Sequence, residues 1–157
     1  MARWYGKIST SGNFYEPLGE AIEYFYSEYE IARMEIRPTS KDEIKKIAIQ
    51  LPGIVEHRWG QLQEIEGIHC FLEIHYDKIK GDKKRHFYEH YNRQLSERMA
   101  DQYADIEPEV LVIREFIQQI ALIRNLYMGI TKGLEYMHYQ LSNITKLRVA
   151  GIEDATF

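Results

Sequence analysis

The chain has 157 residues, of which 45% are hydrophobic and 28% charged, with a formal net charge of −4. That is the length of one domain with enough apolar matter for a core, which excludes a disordered chain. The acidic balance excludes a uniformly basic nucleic-acid binder. No apolar run approaches a membrane span, and the N-terminus lacks the apolar core of a signal peptide, so a cytoplasmic protein is expected.

Taken in chain order, the pattern is mainly helical. "RWYGKIS" alternates weakly and fits a short strand or an extended arm. Phe14, Leu18, Ile22, Phe25, Tyr29, Ala32 and Ile36 recur at helical spacing. This helix begins near Glu16-Pro17, where Pro is tolerated, and stops before Arg37-Pro38. Ser40–Glu43 spells a capping box for a short helix to Leu51, which Pro52-Gly53 is expected to break. The next seam reads Trp59, Leu62, Ile65, Ile68, Leu72, Tyr76 and Ile79. Gly60 and Gly67 weaken that helix unless a neighbour packs closely there. Cys70, the single cysteine, is expected as a buried small hydrophobe. Gly81 marks a kink or a turn, and the stripe resumes as Lys84, Phe87/Tyr88, Tyr91, Leu95 and Met99. "ADQYADIEPEV" is a break, with Asp105 a plausible cap and Pro108 in a first turn.

The closing helix carries the clearest signal. Phe116, Ile120, Ile123, Tyr127, Ile130, Leu134, Met137, Leu141 and Ile144 alternate spacings of four and three, a heptad seam. From Val110 to Arg148 it would run about 58 Å. Such a seam needs the Ile54–Met99 region antiparallel to it, partner chains, or both, which makes it a candidate oligomerisation surface. Gly129 and Gly133 make a G-x-x-x-G step that is either tolerated or closely approached. The expected fold is thus a single elongated helical domain over 1–157, a hairpin or bundle. Residues 1–50 supply an aromatic and a capped helix, and 51–157 a helical core.

Candidate chemistry is sparse. His86-Phe-Tyr-Glu89-His90 spells H-x-x-E-H, and its two histidines share a helix face, but Lys83, Lys84 and Arg85 oppose a dication there and no third ligand is evident. Glu66-x-x-His69 and Glu135-x-x-His138, with Glu30 and Glu109, resemble in type a ferritin-like di-metal set. Against it, Glu109 and Glu135 fall on one helix. No cofactor motif stands out. Lys78–Arg93 holds six basic residues against two acids, interleaved with aromatics. Single-stranded nucleic acid rewards that mixture, with phosphates on the cations and bases on the rings. A solvated helix face reads the same way. One patch binds weakly; a ring of subunits would repeat it.

The order of segments resembles that of the UvsY-type recombination mediators of tailed phages, over about two thirds of the chain. "LPGIVEHRWGQLQEIEGI" resembles the family's opening helix, and "KKRHFYEHYNR" its basic-aromatic run. "QYADIEPEV" resembles its Ala-Asp turn, and "IALIRNLYMGITKGLEYMHYQLSNITKLRVAG" its long closing helix. The resemblance implies a non-catalytic accessory protein that assembles into homo-oligomers and binds single-stranded DNA. It would help load a RecA-like recombinase where single-strand-binding protein sits. It further implies that Lys83, Lys84 and Arg85 contact DNA, with Tyr88, Tyr91 and Arg93 close behind, and that the Phe116–Ile144 helix carries assembly. The first fifty residues exceed the family's usual length before its matching region, and Glu89 dilutes the basic run.

Overall fold

The structure, a computed structural model, describes residues 3–36, 44–90 and 95–151. Among them are five helices and no strand. They are α1 (Arg3–Thr10), α2 (Tyr15–Glu35), α3 (Ile44–His90), α4 (Glu97–Asp105) and α5 (Pro108–Val149). The mainly α expectation holds, and α5 spans almost the predicted limits with Pro108 in its first turn. The capping box at Ser40–Glu43, Tyr91 and Arg93 lie outside the described residues.

The frame is an antiparallel pair. Ile44 and Leu51 of α3 share one apolar cluster with Ile130, Leu134, Met137, Leu141 and Ile144 of α5. Leu62, Ile65, Ile68 and Leu72 share a second with Ile113, Ile120, Ile123 and Tyr127. The heptad seam is therefore satisfied inside the chain. Phe116 packs at its edge, and the other seam residues are buried. α2 lies along this pair, closing both clusters with Leu18, Ala21, Phe25 and Ala32. The buried Tyr127 hydroxyl donates to the Phe25 carbonyl at 3.1 Å, and burial pushes its pKa up.

Five sequence expectations are corrected. First, "RWYGKIS" is helix. The same Trp4 and Ile8 that suggested alternation are one helical turn apart, and both are buried. The first-turn amides of Trp4 and Tyr5 donate to the Glu64 carboxylate of α3, so the cap arrives from across the fold. Second, Pro52-Gly53 does not end a helix, for α3 runs through it. An interior Pro costs about 3 kcal/mol. Burial of Ile44 and Leu51 before Pro52, and packing of Ile54 after it against the same α5 cluster, offsets this and holds both sides in one helix. Third, Trp59 is not in the seam but 52% exposed, and Arg58 takes the inward position in the row Leu51, Arg58, Ile65, Leu72. Fourth, Cys70 is exposed on the outer face between the buried Ile68 and Leu72. Fifth, a break that the sequence did not place falls before Glu97, and the one expected in "ADQYADIEPEV" narrows to Ile106-Glu107. Ser96 caps α4 by accepting from the Met99 amide, and Asp105 closes that helix instead of capping the next. Gly81 causes no turn and stays within α3.

The glycines divide. Gly67 lies under the Tyr5 ring, where an added Cβ would sit 3.3 Å from it. Gly133 meets Ile36, the C-cap of α2, in the same way at 3.2 Å, whereas Gly60 and Gly129 face open space. One half of the G-x-x-x-G step is thus an intrachain contact.

Candidate functional site

The basic segment forms the end of α3, and the fold brings carboxylates to it. Lys80 Nζ lies 2.9 Å from Asp105 and 3.3 Å from Asp101. Lys83 pairs with Glu109 at 3.0 Å, with Glu107 at 3.8 Å, and Lys84 with Glu97 at 2.9 Å. Arg114 of α5 closes the group, donating to Asp105 at 2.7 Å and to the Tyr76 hydroxyl at 2.9 Å. The hydrogen bond from Lys80 holds the Asp105 carboxyl below its usual range. Asp105 in turn holds the Lys80 ammonium above its own, as Glu109 does for Lys83. These lysines fasten α3 to α4 and to the start of α5. The predicted cluster is thereby split: Lys83 and Lys84 turn to carboxylates, while Arg85 and Tyr88 are exposed on the outer face with Lys78 two turns before Arg85.

His86 and His90 stack at 5.0 Å between ring centroids. No three His, Cys, Asp or Glu groups converge on a possible metal position among the described residues. Glu109 is held by Lys83, Glu30 by Arg33 at 3.1 Å, and Glu66 accepts from Gln63 at 3.0 Å. The residues proposed for the H-x-x-E-H and di-metal sets are thus not brought together.

Sequence reasoning missed the main polar feature. Arg58, 2% exposed, grips Glu35 of α2 with two parallel bonds of 2.8 Å from Nε and Nη2. Its Nη1 donates to Glu28 at 2.7 Å and to Gln61 at 2.8 Å, and Gln61 donates on to Glu28 at 3.2 Å. Burial pushes the Glu28 carboxyl up, but the bonds from Arg58 and Gln61 outweigh it and hold it below its usual range. The network locks α2 to α3, with the guanidinium buried and both carboxylates at the edge of the fold. The only sequence signal for it was an Arg at heptad spacing from Leu51 and Ile65.

The second feature is a groove of about 850 Å³ walled by α3 and α5 alone. Leu51, Val55, Leu134 and Leu141 form its floor, and Trp59, Glu56, Glu135, His138 and Tyr139 line it. Trp59 is 52% and Tyr139 64% exposed. No described helix is long and apolar enough to cross a membrane. Compared with protein families, curated proteins and solved structures, the chain matches none. The likeness to the UvsY-type mediators rests on the segments quoted above.

Proposed function

We propose that the protein is a non-enzymatic helical assembly protein that works as an oligomer, with its open α3–α5 face as a docking surface. The observation carrying this reading is the open groove, in which exposed Trp59 and Tyr139 flank an apolar floor that no other described helix covers. Amphipathic interfaces draw on such aromatic anchors at the centre of a patch. The lysine pairing supports it too, because Lys80, Lys83 and Lys84 work inside the fold and acidic groups surround them. Sedimentation velocity on the full chain tests the reading. A mass above one chain at tens of micromolar is expected, and a single-chain mass throughout contradicts it.

A second reading is a single-stranded DNA-binding recombination mediator that assists a RecA-like recombinase. Exposure of Arg85 and Tyr88 on one face favours it. Surface pairs are worth at most about 1 kcal/mol, so phosphates can draw Lys83 and Lys84 from their carboxylates. Labelled single-stranded DNA would then bind in low salt, weaken steeply with added salt, and lose most affinity in Lys83→Ala/Lys84→Ala/Arg85→Ala. Absence of low-salt binding removes this reading and leaves the first.

A further inference from the structure

The two walls of the groove carry the same charge pattern, cationic at one end and anionic at the other. Glu56 lines it from α3 and Glu135 from α5. Lys45 precedes Glu56, and Lys146 follows Glu135, each by about three helical turns, so each lysine shares the face of its glutamate. None of these four side chains has a hydrogen-bond or ion-pair partner among the described residues. The midpoint of Lys45 and Glu56 falls between Gln50 and Leu51, and that of Glu135 and Lys146 between Gln140 and Leu141. Leu51 and Leu141 lie together in the groove floor. Both helices therefore carry cation and anion at equal distances from one shared centre, with cations at the same end because the helices are antiparallel.

We infer that the occupant of this groove is a second copy of the chain, packed face to face about a twofold axis through that centre. The inference rests on the assembly reading and names its surface. A twofold axis lying in the interface and crossing the helices at right angles reverses their direction while keeping α3 over α3 and α5 over α5. It sets Lys45 of one copy against Glu56 of the other, and Lys146 against Glu135, giving four ion pairs around an apolar centre. Trp59 and Tyr139 become covered, and the result is two stacked layers of two helices. An unrelated partner helix would have no reason to repeat this mirrored spacing, and self-complementarity of a single patch is what an isologous dimer requires.

Charge reversal followed by mixing tests it on the full chain. Sedimentation velocity in low salt should give a two-chain mass for the natural sequence. Lys45→Glu/Lys146→Glu alone, and Glu56→Lys/Glu135→Lys alone, should each fall to one chain, with a dissociation constant raised about a hundredfold or more. An equimolar mixture of the two variants should recover the two-chain mass, because every facing pair is then opposite in sign. That recovery also establishes that both variants fold. A natural chain that stays single overturns this dimer together with the assembly reading. A multimer that neither variant disturbs, or variants that separate and do not recover on mixing, overturns this face alone.

Discussion

Two places on α3 hold cations against carboxylates from neighbouring helices, and they differ in water. At Arg58 a 2% exposed guanidinium meets Glu28 and Glu35 in fixed geometry. At Lys80–Lys84 flexible ammonium groups meet Glu97, Asp101, Asp105, Glu107 and Glu109 at the surface. The contact types match on paper, yet their consequences separate. A buried group deprived of its partner cannot turn to water, whereas a surface one can.

The largest effect is expected at the buried pair. Arg58→Ala leaves Glu28 and Glu35 facing each other across the α2–α3 seam and should cost about 2–4 kcal/mol in urea unfolding, less than a wholly dry pair because both carboxylates keep some access to water. A loss under 0.5 kcal/mol would erase the distinction between the two regions. Next comes Asp105→Asn, which removes the negative charge shared by Lys80 and Arg114 while leaving an amide oxygen to accept. A loss of about 1 kcal/mol is expected in low salt, fading in 1 M salt. The Arg58→Ala loss should change little with salt, and equal salt sensitivity of the two would contradict the burial argument. The smallest effect is expected for Lys84→Ala, about 0.5 kcal/mol or less, since Glu97 is largely exposed.

Acid should act on both regions in one direction. Glu28 and Asp105 have folded-state pKa values below their ordinary ones. Their contribution is therefore complete above the unfolded carboxylate pKa and is lost as pH falls through the lowered folded values. Unfolding free energy should be flat from neutral pH to about pH 5 and then decline. In Arg58→Ala the decline should be shallower, and an unchanged slope would show that Arg58 does not set the Glu28 shift.

Much of this was written locally. The closing seam and the α2 stripe were legible because helical periodicity is a property of consecutive residues, and packing later used that periodicity as it stood. Trp59 shows the limit of that method. It and Arg58 are adjacent, so a one-position change of phase decides which is buried, and hydrophobicity alone chose Trp59. The Arg becomes the better inward residue only when Glu28 and Glu35 arrive from α2. Of the predicted site residues, Lys83, Lys84, Arg85 and Tyr88 do share the end of α3. Their segregation into paired lysines and an exposed Arg–Tyr face depends on carboxylates more than ten positions away.

What the amino-acid order determined by itself was helix type, the position of the long heptad row and the uneven distribution of charge, because each depends on near neighbours along the chain. What only tertiary structure decided was where those surfaces are spent. The α5 seam is consumed within the chain, α1 is capped by Glu64, Pro52 is carried through an unbroken helix, and the basic run is met by acids of α4 and α5. Each of these joins groups distant in sequence, and its free energy exists only once the helices have packed.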